Sequence, residues 1–253
     1  MIGNVDMAGK AVVVSGAANG LGREAALTVA RNGADLCLLD FDAPELDATA
    51  DEIRALGVRA VAYAADLSRV ENCRAGIAAA VDAFGRVDGL CNAATAFFPA
   101  RAVDTAAEDL ETTIRINVAC PFYLIQAAIP HLIESRGAVV NVTSAVVVRP
   151  SPYTVIYAAS RGALSHMTKA LAIEYLDKPI RFNEVAPAGM SVGFGTRSRI
   201  PDDLDQASFK ELPPARGRTN LDEVTALIAF LLSDASRSYH GATISLDNGI
   251  ALL

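Results

Sequence analysis

The chain has 253 residues, 52% of them hydrophobic and 20% charged, with a formal net charge of -7 at pH 7. That length and apolar content suffice for one large core, in a single α/β domain spanning residues 1–253. The acidic balance leaves no basic patch to offset phosphates, which argues against nucleic acid and anionic membrane surfaces as partners.

Cys37, Cys73, Cys91 and Cys120 show no C-x-x-C spacing, and His131, His166 and His240 have no ligand-like neighbours. Neither a metal site nor a disulfide framework is expected. No apolar run approaches the ~20 residues of a membrane span, and the first apolar run leads into a glycine loop rather than a cleavage site. An intracellular, cytoplasmic protein is expected.

Residues 10–15 (Lys-Ala-Val-Val-Val-Ser) are a short β-branched run that predicts a strand. The strand leads into Gly16-Ala-Ala-Asn19-Gly20-Leu21-Gly22 and a helix over 23–32. Glycine is needed where the backbone bends tightly and a pyrophosphate approaches it, the charge resting on unpaired amides at the helix start. A Cβ at those points would block the approach. The next run, 34–39, ends at Asp40, about twenty residues past the loop, where a carboxylate can accept hydrogen bonds from an adenosine ribose and repel a 2′-phosphate. Strand, glycine turn, helix and acidic residue together predict a dinucleotide site.

Charges between Asp42 and Glu52 fit a solvated helix face. A third strand is expected over 59–64, and Ser68-Arg-Val-Glu71 reads as a capping box opening a helix towards Phe84. A short strand follows at 89–92. A helical stretch over 104–135 is interrupted or bent near Pro121. The strand at 137–143 has almost no polar alternation, as expected when both faces are covered. A helix over 157–176, a strand over 181–185, a helix over 221–233 begun by the Asn220-Leu-Asp-Glu223 box and a strand over 243–246 complete the series. Such alternation, with right-handed crossovers, gives a doubly wound parallel sheet flanked by helices on both faces, with ligands at the carboxyl ends of the strands.

From end to end the chain resembles the short-chain dehydrogenases/reductases. The residues that carry the resemblance are Gly16, Gly20, Gly22, Asp40, Asp66-Leu67, Asn92-Ala93, Asn117, Ser144, Tyr157, Asn183, Pro187 and Leu246-Asp-Asn-Gly249. The resemblance implies a Rossmann-like domain and an NAD(P)-dependent oxidoreductase acting on a small alcohol or carbonyl compound, assembled as a homo-oligomer (tetramer or dimer). It further implies cofactor contacts from Gly16, Asn19, Gly20, Leu21, Gly22, Asp40, Asp66, Leu67, Asn92, Tyr157, Arg161 and Pro187, with Asp66 at the adenine. An acidic residue at the Asp40 position favours NAD over NADP. The loop before Gly22 holds no basic residue and Phe41 follows Asp40, so NAD is the expected cofactor.

The resemblance places four residues at the chemistry: Asn117, Ser144, Tyr157 and Arg161. Hydride transfer from a carbinol carbon requires removal of the hydroxyl proton, and a phenol with an ordinary pKa of about 10 is a poor base at neutral pH. A cation within a few ångströms stabilises the phenolate. Tyr157 and Arg161 are four positions apart, so on a helix they share a face. Ser144 follows the buried fifth strand, where its hydroxyl can hold the substrate oxygen. Asn117, by resemblance, anchors a water in the proton path. Each has a plainer explanation: a Tyr near a helix start packs, a Ser after a strand caps a turn, and an Asn at a bend satisfies backbone groups. Their order and spacing behind a dinucleotide loop favour the chemical roles for Ser144 and Tyr157 and leave Asn117 open to both.

The departures cluster at the nicotinamide half. Arg161 stands at the family's catalytic lysine; it keeps the charge but releases no proton at ordinary pH, which closes a relay through that side chain. Cys91-Asn-Ala-Ala94 replaces Asn-Asn-Ala-Gly, Ala188 replaces a Gly, and Val192 replaces a carboxamide-holding Thr. The adenosine half is intact, so retained NAD binding with a remodelled reaction end is expected. Phe97, Phe98, Val146, Val147, Tyr153, Met190 and Phe194 suggest an apolar or aromatic substrate, or equally lid packing. The segment 191–220, with three glycines and three prolines, is expected to form a mobile substrate lid in which Arg197 and Arg199 are uncommitted. Ala159, Gly162, Ala163 and Ala170 permit close helix packing, on a surface that often forms a subunit contact in the family. Two functions fit: an NAD-dependent oxidoreductase on a secondary alcohol or ketone, or an NAD-binding protein with little turnover serving as a sensor or assembly subunit.

Overall fold

The computed structural model describes residues 5–190 and 217–252. Successive side chains of a strand point to opposite faces, and in β1 (Ala11–Ser15) and β2 (Asp35–Asp40) both sets are apolar. Val12, Val14, Leu36 and Leu38 join one core cluster, while Val13, Cys37 and Leu39 join a second. An unbroken apolar run is therefore the signature of a strand covered twice. The strands continue as β3 (Ala60–Ala64), β4 (Gly89–Asn92), β5 (Ala138–Val142), β6 (Arg181–Pro187) and β7 (Thr243–Leu246). Among the described residues they form one seven-stranded parallel sheet in the order β3-β2-β1-β4-β5-β6-β7. Ser15 pairs with Leu39 on one side and Asn92 on the other, so the central strands end level with one another.

Among the described residues the α-helices are α1 (Gly20–Arg31), α2 (Ala43–Ala55), α3 (Val70–Phe84), α4 (Ala107–Ile114), α5 (Cys120–Ser135), α6 (Val155–Glu174) and α7 (Leu221–Leu232). Residues of α1, α2 and α7 complete the first core cluster, and residues of α3, α5 and α6 the second. The result is the expected doubly wound, Rossmann-like three-layer arrangement.

Several local expectations need correction. Helix α1 starts at Gly20 rather than 23, so Leu21 and Gly22 belong to its first turn. The Ser68/Glu71 capping box does not form. Asp66 lies two residues away and takes both the Ser68 hydroxyl (2.9 Å) and the Ser68 N–H (3.1 Å), while Glu71 pairs with Arg69. A nearby carboxylate outcompetes the helix amides for that serine. The later box forms by half, with Asn220 Oδ1 accepting from the Asp222 N–H at 2.8 Å.

The expected bend near Pro121 is a π-turn at Arg115–Ala119, where the Cys120 N–H reaches back to the Arg115 carbonyl. Proline supplies no N–H, and the widened turn absorbs the loss. Contrary to the expectation that no run approaches a membrane span, residues 107–135 form one helical rod of 29 residues, long and apolar enough to cross a membrane by length and composition. Here Cys120, Leu124, Ile125, Ala128 and Leu132 pack it into the second core cluster. The expected lid lies outside the described residues apart from 217–220, as do Val192, Phe194, Arg197 and Arg199.

Candidate active site

Strand order reverses direction between β1 and β4, so the loops leaving their carboxyl ends diverge and open a crevice. The loop after β1 begins at Gly16, whose φ of 74° is open to glycine and whose N–H donates to the Leu39 carbonyl at 2.8 Å. A Cβ on Gly16 would lie 2.7 Å from the Ala94 backbone, and one on Gly22 would lie 2.0 Å from the Gly16 carbonyl oxygen. Close approach of backbone to backbone thus compels both glycines. Asn19 is extended ahead of α1 and forms no side-chain cap, and the first turn of α1 carries no acidic residue. The helix start therefore faces the crevice with free amides and an uncompensated dipole.

Asp40 closes this end. It is 8% exposed; its Oδ2 accepts from the Ala18 N–H at 3.2 Å, and its Oδ1 accepts from the N–H groups of Phe41 and Asp42 at 2.7 and 3.3 Å. The carboxylate is fixed in place and still lines the crevice, together with Asn19, Gly20, Leu21, Phe41, Ala65 and Leu67. Asp66 does not line it. Glycines without room for a Cβ, bare helix amides and a held carboxylate fit a dinucleotide, with the pyrophosphate at α1 and the adenosine ribose at Asp40.

At the other end, Tyr157 and Arg161 sit one turn apart on α6 and line the same crevice with Ser144 and Pro187. Tyr157 is buried, with its ring edge-to-face with Phe97 at 4.9 Å between centroids. The Arg161 guanidinium carbon lies 5.2 Å from the centroid of the Tyr157 ring, within cation–π range. Arg161 Nη1 donates to the Val142 carbonyl at 3.0 Å, and Nη2 makes a short hydrogen bond to the Thr95 hydroxyl. Ser144 is extended just past β5, and its Oγ accepts from the Val146 N–H at 3.4 Å.

Besides Asp66, two expected residues stand back from the crevice. Asn117 is fully buried in the π-turn; its Oδ1 accepts from the Ala96 N–H at 2.8 Å, and its Nδ2 donates to the Ala96 carbonyl and the Ser160 hydroxyl, both at 3.0 Å. It ties the loop after β4 to α6, one residue before Arg161. Asn92 donates from Nδ2 to Asn141 Oδ1 at 2.8 Å within the sheet. Of the apolar residues proposed around the substrate, Phe97, Val146 and Met190 line the crevice, whereas Phe98, Val147 and Tyr153 do not. Thr95, Ile116, Ser151 and Thr154 line it without having been singled out. The signal for Thr95 was its place directly after Asn92-Ala93-Ala94, at the carboxyl end of a central strand. Cys91, beneath this floor, has its thiol pushed up to about 12 by burial and is no nucleophile.

A family model described as enoyl-(acyl carrier protein) reductase matches residues 16–251, from the glycine loop to the final turn. The chain belongs to the short-chain dehydrogenase/reductase family. Among curated members, the 2,5-dichloro-2,5-cyclohexadiene-1,4-diol dehydrogenase LinX of Sphingobium indicum is 29% identical over 244 residues, 96% of each chain. Among solved members, a short chain dehydrogenase from Burkholderia cenocepacia in complex with NADP aligns with a TM-score of 0.87 at 30% identity, covering 96% of this chain and 98% of that one. The 3-ketoacyl-(acyl-carrier-protein) reductase from Brucella melitensis, complexed with NADH, aligns with a TM-score of 0.87 at 28% identity, covering 97% and 100%. As a short-chain dehydrogenase/reductase, the protein is an oxidoreductase that pairs a nicotinamide cofactor with a small-molecule substrate.

Proposed function

We propose that the chain is a single-domain, cytoplasmic, NAD-dependent enzyme that interconverts a secondary alcohol and a ketone of apolar or aromatic character. One observation carries this: a continuous crevice joins the glycine loop and Asp40 to a buried tyrosine stacked under a guanidinium. NAD, when bound, accepts the hydride from the carbinol carbon and NADH returns it.

The protein's own residues do the rest. Backbone N–H groups of the Gly16–Gly22 loop would hold the pyrophosphate, Asp40 would hold the ribose and disfavour a 2′-phosphate, and Leu67 would flank the adenine, with Asp66 set back from the crevice and bonded to Ser68. Asn92 and Pro187 support the nicotinamide end. Tyr157 takes the proton from the substrate hydroxyl, and returns it in the reverse direction. Ser144 donates a hydrogen bond to the substrate oxygen as charge develops there. Arg161 contributes a permanent positive charge beside the phenol ring and passes no proton. Asn117 acts by fixing the loop that carries Thr95 and Phe97. Phe97, Ile116, Val146 and Met190 keep water from the reacting atoms and favour an apolar substrate. Exposed Val155 and Ile173 along α6, with Ala159 and Ala163 between them, support assembly as a homo-oligomer.

The test is a screen of hydrophobic ketones and secondary alcohols, following absorbance of the reduced cofactor with NAD(H) and with NADP(H). Turnover with NAD(H) in preference to NADP(H) is expected. A chain that binds NADH yet turns over no member of the panel would overturn the assignment in favour of a binding protein.

A further inference from the structure

Arg161 is 2% exposed, and each terminal nitrogen has a protein acceptor. The acceptors come from two strands: the Val142 carbonyl is the last residue of β5, and the Thr95 hydroxyl lies three residues past the end of β4. A planar fork anchored at both tips has its plane and direction set, which a single acceptor would not achieve. The plane so fixed lies beside the Tyr157 ring. Of the two acceptors, only the hydroxyl depends on the identity of a side chain. An apolar residue at position 95 would remove the protein acceptor of the Nη2 donor on a residue that is itself almost fully buried.

We propose that Thr95 is a positioning residue for hydride transfer: with the Val142 carbonyl, its hydroxyl locks the Arg161 guanidinium against Tyr157. The proposal deepens the function given above and rests on Arg161 serving as the cation of that site. Thr95 acts through Arg161 and moves no proton itself. Position 161 and position 95 therefore form a unit. An ammonium at position 161 lacks the two-tipped fork and cannot span both acceptors, so Arg161→Lys loses the arrangement instead of improving it. A pair serving only to fill buried polar space would affect folding and leave the kinetic effects of the two positions independent.

The experiment compares the full chain with T95V, T95S, R161K and T95V/R161K. Turnover is read with NAD and 1-phenylethanol, or whichever secondary alcohol the screen returns, and arginine side-chain NMR is read without cofactor. T95V is expected to lower kcat tenfold or more, because a hydrogen bond to a charged group is lost. KM for NAD and alcohol should stay within about threefold. T95S should recover most of the lost turnover. In the R161K background, T95V should cost less than about threefold, since no fork remains to be held.

A slowly exchanging guanidinium signal, assigned by its absence in R161K, should be present in wild type and T95S and lost in T95V. Full turnover in T95V, equal damage from T95S and T95V, independent effects in the double variant, or an unchanged Arg161 signal in T95V would each overturn the proposal. If wild type turns over nothing, the functional assignment fails, while the NMR signal still decides the part of Thr95. If T95V does not fold, T95A takes its place in both measurements.

Discussion

At the Gly16–Asp40 end of the crevice the wall is built by backbone, whereas at the Tyr157 end it is built by side chains. Gly16 and Gly22 have no room for a Cβ, the α1 amides are bare, and even Asp40 is held by three backbone N–H groups. At the reaction end, Tyr157 is wedged between Phe97 and Arg161, and Arg161 is held by Thr95 and a carbonyl. A backbone cradle leaves little to exchange, because any added atom collides with main chain. A side-chain cluster is held by partners that can themselves differ, and here the cation is an arginine whose guanidinium is bonded to the Thr95 hydroxyl.

The sharpest way to separate the two ends is Tyr157→Phe. Removal of one hydroxyl should lower kcat by about 10² to 10⁴, the usual contribution of a positioned acid/base, while NADH fluorescence titration remains as in wild type. Comparable losses in both measurements would mean that the two ends are not independent. Gly22→Ala is the converse: a methyl 2.0 Å from the Gly16 carbonyl forces the loop apart. At about 1–3 kcal/mol for overpacking, NADH affinity should fall by about tenfold or more, alongside a lower melting temperature. Unaltered affinity would show that the close approach is not required.

Asp40→Ala should shift the ratio of NADH to NADPH affinity by about tenfold towards NADPH, since a like-charge repulsion is removed. Parallel titrations read the ratio, and a constant value would remove Asp40 from nucleotide selection. The smallest effect concerns the floor shared by both ends. Burial pushes the Cys37 and Cys91 thiols up to about 12, so neither should be alkylated by iodoacetamide at pH 8 until denaturant is added. Mass spectrometry of the native, treated chain checks this, and rapid labelling of either cysteine would contradict their burial.

Much of this was legible in the sequence where the information is local. The glycine loop, Asp40 and the Tyr157–Arg161 spacing each lie within one turn or one strand-helix unit, and strand and helix order follows from periodicity. Contacts between distant segments were not legible. The Thr95–Arg161 bond joins residues 66 positions apart, and the Asn117–Ser160 bond spans 43; no spacing rule reaches them. Asn117 lay at the expected bend, but its side chain faces the loop after β4 rather than the crevice. The Ser68 cap failed for the opposite reason, a competitor too near. The membrane-length rod was missed because its apolar character is spread along a helix broken in sequence by Asn117 and Pro121, and only its packing shows that it covers the sheet.

The most direct measurement is a crystal structure of the chain with NAD bound. The expected result has the nicotinamide beside Tyr157 and Ser144, with the Arg161 guanidinium still bonded to Thr95 and the Val142 carbonyl and still against the phenol ring. A guanidinium swung away from Tyr157, or a nicotinamide lying outside reach of the Tyr157 hydroxyl, would contradict a reaction end built on a locked arginine.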